Sequence, residues 1–264
     1  NIVNMYAGTK TDNNHANLVN VVNSKIDIDG TVNAIRNNRI GGNLYFLSSD
    51  GMAVSSGGVI NAGSLQVFTP TRKARDLLEG HLSLNNGAVT DQKAVLDALD
   101  PYMTASADIP MNPEGTIIVE GRINATDDIG LHAPAITVGD SSGKAALKTG
   151  VVDFKNLVNI ADVDGNTLVD ANEGGALSGG LKATKDSNTG DIVLESRTGE
   201  AITNTEQTIN DAASVLNVGI STSDVTNGLT HSKYKASVAV DGEISAARDV
   251  TITATAKNGS GNQL

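Results

Sequence analysis

The sequence predicts an all-β chain wound as a right-handed parallel β-helix, with short helical insertions outside the coils. Three observations predict it. One short phrase recurs along the chain. The apolar runs are brief and cut by Gly and Asn, leaving no room for helices of ordinary length. Aromatic residues make up only 3% and Trp is absent, while Gly reaches 28. Aliphatic and small side chains in thin stacked layers suit a solenoid better than one thick globular centre.

Residues 1–27 read as two short strands around a polar loop near 8–15. The phrase begins next: apolar, any, Gly, any, apolar, Asn or Ser, Ala. Its first copy joins Ile28, Gly30, Val32, Asn33 and Ala34, followed by Leu44 and Phe46. A looser copy runs through Gly58, Ile60, Asn61 and Ala62 to Leu65 and Val67. Another joins Val119, Gly121, Ile123, Asn124 and Ala125, with Asp128, Ile129 and Leu131 after it. A further one joins Val240, Gly242, Ile244, Ser245 and Ala246, with Asp249, Val250 and Ile252 after it. Gly180, Leu181 and Ala183, followed by Asp191, Ile192 and Leu194, form a second loose copy.

The physical sense is a coil. Alternate residues of a strand point to one side. Gly and Asn make corners because they visit positive φ cheaply. One coil cannot bury its apolar side alone, so coils stack and pair their strands in parallel. Gly30, Gly121 and Gly242 are the predicted corners. Asn33, Asn61 and Asn124 hold one place in their copies, which predicts a ladder of amide contacts.

Insertions break the spacing. Residues 71–80 have helical composition, with Pro70 before them and Gly80 as a stop. Residues 90–99 start at a capping Thr90, and Asp100-Pro101 is expected to close them. The turn 111–115 returns the chain to a strand at 116–120. Loose regions are expected over 139–176 and 199–235, the latter with a short helix from Asn204. The domain plan is therefore N-terminal coils over 1–69, a helical insertion over 70–112, further coils over 113–256 and a flexible tail over 257–264. The tail has linker composition and reads as leading to more protein. The start at Asn1, without Met or an apolar signal core, reads as a mature or trimmed product.

The net charge of −11 argues against a nucleic-acid footprint or an anionic membrane surface. Solubility is its plain meaning; cation binding or repulsion between cell surfaces is the sharper one. Cys is absent, which excludes disulfides and Cys-based zinc sites and fits export through an oxidising compartment. No run is long and apolar enough for a membrane-spanning helix.

Little catalytic chemistry stands out. Asp162, Asp164, Asn166 and Asp170 space oxygen ligands like a calcium loop, with Gly165 fourth and Glu173 twelfth. An EF-hand wants Gly at the sixth position, so half the pattern is met. Ca²⁺ is the sole cofactor candidate. His15, His81, His132 and His231 form no metal motif, and His132 is expected to point outward. No phosphate loop, dinucleotide fingerprint or nucleophile elbow occurs. Asp127-Asp128 and Asp249 fall at one corner of their copies. A turn Asp is the ordinary explanation; the rival is a carboxylate cluster of a polysaccharide lyase or hydrolase.

Residues 26–67 resemble the haemagglutination-activity, or two-partner-secretion, domain of large bacterial exoproteins. The resemblance rests on Asp29 to Ala34, Asn43 to Met52 and Gly58 to Leu65. It looks closest to the leukotoxin-like filamentous adhesins of anaerobic Gram-negative bacteria. Ser48 to Met52 stands where that family has an Asn-Pro-Asn-Gly-Ile-type turn and keeps only the Gly and the apolar end. The resemblance implies a secreted, non-catalytic surface adhesin or filament protein. Its implied partners are an outer-membrane transporter and a host or bacterial surface protein or glycan. Open coil ends add end-to-end self-association.

Overall fold

A computed structural model describes residues 2–7, 17–36, 39–82, 84–85, 88–89, 92–141, 143–151, 189–197 and 236–256. The chain is mostly β, with three long parallel sheets and two helices among these residues.

The first nine strands are β1 (Ile2–Tyr6), β2 (Asn17–Val22), β3 (Ile26–Ile28), β4 (Thr31–Arg36), β5 (Arg39–Ile40), β6 (Asn43–Ser48), β7 (Gly51–Val54), β8 (Val59–Ala62) and β9 (Leu65–Phe68). A helical excursion follows: α1 (Arg72–Leu82), a hairpin of β10 (Leu84–Asn85) and β11 (Ala88–Val89), and α2 (Gln92–Met103). The strands resume as β12 (Thr116–Val119), β13 (Arg122–Ala125), β14 (Ile129–His132), β15 (Ala135–Gly139) and β16 (Ala146–Lys148). The last are β17 (Ile192–Arg197), β18 (Ser237–Asp241), β19 (Glu243–Ser245) and β20 (Val250–Thr255).

Sheet I has the order β1-β4-β8-β13-β16-β19, with β5 folded back antiparallel on β4. Sheet II runs β2-β6-β9-β14-β17-β20, and sheet III β3-β7-β12-β15-β18. The chain visits sheets I, II and III in fixed cyclic order. Each visit adds a parallel strand beside the one laid down a coil earlier, at the usual spacing of about 4.8 Å.

The core follows from this register. Leu18, Leu44, Leu65, Ile129, Ile192 and Val250 occupy one column of sheet II. Val32, Ile60, Ile123, Leu147 and Ile244 occupy one of sheet I. Ile28, Val54, Val119, Val138 and Val240 occupy one of sheet III. Most of these residues belong to a single buried cluster. The coils before and after the excursion therefore share one core and three continuous sheets.

The excursion leaves after β9 and returns at β12, and Pro70 bridges Met111 across its base. Thr71 caps α1, its Oγ1 accepting the Ala74 amide at 3.2 Å. The helices cover the outer side of sheet II. There Tyr45, Leu47 and Phe68 pack against Leu78, Tyr102, Ile109 and Met111 as a second cluster.

Three expectations need correction. Asp100-Pro101 does not close α2: Pro101 lies inside it, and the helix reaches Met103. Pro removes one amide bond, but it falls in the last turn. Tyr102 is buried edge-on against Phe68 at 5.4 Å, and Ser106 N donates to Pro101 O at 2.8 Å, so the turn holds. The region from 139 is not all loose, because β16 supplies the sheet I strand after β13. The phrase around Gly180 and the expected helix at Asn204 lie outside the described residues.

The third correction concerns the corners. None of Gly30, Gly121 and Gly242 has positive φ. They stand, with Gly58 and Ala145, just before the sheet I strands. Here Val59, Arg122, Ala146 and Glu243 donate their amides to the carbonyls of Gly30, Gly58, Gly121 and Ala145 at 2.9–3.0 Å. A Cβ on Gly121 would lie 2.2 Å from Gly58 O and 2.3 Å from Ser55 O. At Gly58, Gly121 and Gly242, close approach of coil to coil, not handedness of the turn, selects Gly. Asn33, Asn61 and Asn124 likewise lie within strands of sheet I rather than at turns.

Candidate functional site

Three polar arrangements stand out among the described residues. The first is an amide ladder in sheet I. Asn33 Nδ2 donates to Asn4 Oδ1 at 2.9 Å, Asn61 to Asn33 at 2.8 Å and Asn124 to Asn61 at 3.0 Å. Asn33, Asn61 and Asn124 are buried, each flanked by inward aliphatic residues. Every donation runs toward the N-terminal coil. The register then places Lys148 beside Asn124. With no amide there, Asn124 Oδ1 is buried without a partner.

The second arrangement is a column at the corner from sheet I to sheet II. Asn43 opens β6, and Ser64, Asp128, Asp191 and Asp249 each precede a sheet II strand. Ser64 N donates to Asn43 Oδ1 at 3.1 Å and Asp128 N to Ser64 Oγ at 3.3 Å. Asp191 N and Gly190 N donate to Asp128 Oδ1 at 2.9 and 2.7 Å, and Asp249 N to Asp191 Oδ1 at 3.2 Å. Below them Asn43 Nδ2 reaches Asn17 Oδ1 at 2.9 Å. Each coil thus caps an amide of the next. Arg248 grips the Asp191 carboxylate with two nitrogens, Nε at 2.6 Å, and its hydrogen bond holds that carboxyl below the ordinary range. Of the Asp corner residues noted in the sequence, Asp128 is occupied as a backbone cap, Asp127 accepts from the hydroxyls of Thr126 and Thr189, and Asp249 gives its amide to Asp191.

The third lies on the outer side of sheet II. His132 is only 2% exposed. Its place on that outer side agrees with strand alternation, but it does not meet solvent, because Phe68 stacks on it at 4.4 Å and 7°. Its Nδ1 faces Glu195 Oε2 at 2.8 Å and its Nε2 faces Gln66 Oε1 at 3.2 Å. Gly130 makes this geometry feasible: a Cβ there would meet Gln66 Oε1 at 2.0 Å. Arg197 stands 3.5 Å from Glu195 and donates to the carbonyls of Ser106 and Ala107, tying the excursion to the coils.

Hydrogen bonding from His132, with Arg197 nearby, lowers the Glu195 pKa below its ordinary 4.5 despite burial. A depressed carboxylate contributes stability that is present above its unfolded-state value and lost as pH falls through the folded one. Urea midpoints of the native chain should therefore fall with acidification below about 4.5 more steeply than those of Glu195→Gln. Parallel pH profiles for the two chains would remove Glu195 from the acid response.

An apolar cleft of about 430 Å³ opens between α1, α2 and the 106–110 segment. Leu77, Ala98, Pro101, Tyr102 and Pro110 line it, with Asp108 at its edge. Asp162, Asp164, Asn166 and Asp170 lie outside the described residues, as do His15 and His231. Among the described residues no group of three or more His, Asp or Glu is placed to hold a metal ion. No helix among them is long and apolar enough to cross a membrane.

No family model, curated protein or solved structure matches the chain.

Sequence reasoning missed the Gln66–His132–Glu195 cluster. The alternation in Ile129-Gly130-Leu131-His132 put His132 on the right side of the strand. Its cover comes from Phe68 of the neighbouring strand β9, itself packed edge-on by Tyr102 of α2, and no local pattern signals that. Asn4 escaped notice because Ile2-Val3-Asn4-Met5 lacks the Gly and Ala of the phrase.

Proposed function

We propose that the chain is a right-handed parallel β-helix that works outside the bacterial cell as an adhesive or filament-forming surface protein, without catalysis. The carrying observation is the cyclic order of the three sheets, held by two polar columns along their length. Such a body is an extended scaffold whose repeated geometry serves presentation of surface rather than enclosure of a substrate. Export by a two-partner route, with an outer-membrane transporter as partner, rests on the likeness of residues 26–67 to that secretion domain. The surface partner is then a host or bacterial protein or glycan.

One observation favours a second reading, a polysaccharide-active β-helix enzyme. Asp128, Asp191 and Asp249 stack as acids on one edge. Against it, Asp128 and Asp191 are taken up by backbone amides and Arg248, leaving no pair poised as acid and base across a bond.

Two assays separate the readings. Labelled chain should bind intact host or bacterial cells saturably, and acidic polysaccharides should keep their length on incubation with it. Absence of saturable binding, together with depolymerisation that Asp191→Asn abolishes, would replace the adhesin with the enzyme. Negative-stain images should show rods; compact particles would sink the β-helix.

A further inference from the structure

We propose that Glu195 is an acid-sensitive latch: it holds the C-terminal end of α2 and the 104–110 segment against the coils, and neutralising it frees this strap while the three sheets stay closed. The device goes beyond the scaffold reading and does not rest on it.

The carrying geometry is convergence. Two lines of contact leave Glu195 and both end on the strap. One passes through His132, whose Nδ1 faces Glu195 Oε2 at 2.8 Å, to the stacked ring of Phe68 and on to Tyr102, edge-on at 5.4 Å. The other passes through Arg197, whose Nε stands 3.5 Å from the same Oε2, to the carbonyls of Ser106 and Ala107. One carboxylate oxygen therefore serves both lines. Tyr102 and Ile109 of the strap belong to the second apolar cluster, with Leu47 and Phe68 of sheet II. Release of the strap uncovers that apolar outer side.

Charge makes the convergence switchable. Both ring nitrogens of His132 face oxygen, Gln66 Oε1 being the second at 3.2 Å, an arrangement that an imidazolium meets with two donations. Arg197 is a permanent cation whose side chain is 14% exposed. Its Nε is buried with no hydrogen bond and is answered by charge alone. Glu195 thus stands between two cationic side chains. Once it is neutral, a desolvated guanidinium has lost a close counter-charge, which a buried site penalises. Turning Arg197 toward water relieves the penalty and drops both carbonyl contacts. Among the described residues, the other groups around this cluster are Gln66 on β9, Thr253 beside Glu195 on β20, and Asp108 on the strap, the second carboxylate acting on Arg197.

The strap also carries strain. Ala105 has φ of 49°, the left-handed region that L side chains avoid. The bend is held by Thr104 N donating to Asp100 O at 3.0 Å and Ser106 N to Pro101 O at 2.8 Å. The direction of the response follows from Glu195. The His132 hydrogen bond, with Arg197 nearby, keeps its carboxyl below the ordinary 4.5 while the strap is closed. Opening removes Arg197 and loosens the stack on His132, so the open form binds the proton more tightly and acid favours it.

The test is hydrogen–deuterium exchange of the whole chain, read as protection factors so that the intrinsic pH dependence divides out. From about pH 7 to about pH 4, protection of the strap amides of Thr104, Ser106 and Ile109 should fall about tenfold or more, while that of β6 and β13 holds. Glu195→Gln is neutral at both pH values and should show a weakly protected strap throughout, with no acid fall. Asp108→Asn changes an exposed residue and should move the fall to higher pH, because Arg197 then depends on Glu195 alone. A strap that stays protected in acid would overturn the latch. So would an acid fall in Glu195→Gln as large as the native one, or strap and coils losing protection together at one pH. If Glu195→Gln fails to fold, Asp108→Asn decides, and a fall at the native pH overturns the latch.

Discussion

Gly51→Ala is expected to lose roughly 3 kcal/mol or more of stability, combining a strained backbone with an overfilled contact. Gly51 opens β7 after the Ser48-Ser49-Asp50 turn, with φ of 96°. That region costs an L side chain on the order of 1–3 kcal/mol. Space adds a second penalty. A Cβ would sit 1.8 Å from Thr116 O, which belongs to the next coil of sheet III. The obstacle is backbone, so no side chain can swing away. Relief requires β7 and β12 to part, which would open the sheet III ladder that joins the strands before the excursion to those after it. Nearby bonds add to the cost: Gly51 N donates to Ser48 Oγ at 3.2 Å and Ser48 Oγ to Ser24 O at 2.7 Å. Urea unfolding followed by far-UV circular dichroism measures the loss. Gly57→Ala is the control, since its Cβ would meet only Asp29 O, at an ordinary 3.6 Å. Equal losses in the two variants would show that coil-to-coil backbone contact does not set the cost.

This contrast also shows how far the sequence could be read. The phrase in Ile28 to Ala34, Val119 to Ala125 and Val240 to Ala246 located the sheet III-to-I corner and the sheet I strand, because apolar spacing there repeats. Leu44, Leu65, Ile129 and Val250 located sheet II for the same reason. The strands β15 and β16 carry no Gly-x-apolar-Asn, and Ala145 takes the corner place of Gly. They were legible only as partners, and partnership is a property of the stack. Gly was read as a turn residue because positive φ is its usual local meaning. At Gly121 the cause is a carbonyl from another coil, more than sixty residues away in sequence. The ladder was legible because three Asn shared a place. Its direction and its end at Lys148 depend on side-chain placement and register, which no spacing records.

The ladder supplies the other large effect. Asn61 is fully buried between two rungs, donating to Asn33 and accepting from Asn124. Asn61→Leu removes both bonds at once and keeps comparable bulk. Asn33 Oδ1 loses its donor, and Asn124 Nδ2 loses its acceptor in a dry setting. Each buried group left unmet costs about 1–3 kcal/mol, so a loss of roughly 2–5 kcal/mol is expected. Asn61→Asp should also fail, for a different reason: a carboxylate can accept from Asn124 but cannot donate to Asn33. Its penalty should shrink on acidification, because a protonated carboxyl regains one donor. The decisive comparison is the variant with Asn33, Asn61 and Asn124 all changed to Leu. Matched apolar groups leave fewer stranded partners, since only Asn4 keeps an amide facing the column. The triple change should therefore cost less than the sum of its three single changes, by at least about 1 kcal/mol. Strict additivity in urea midpoints would mean that the amides act as separate polar groups and that the column carries no cooperative stability.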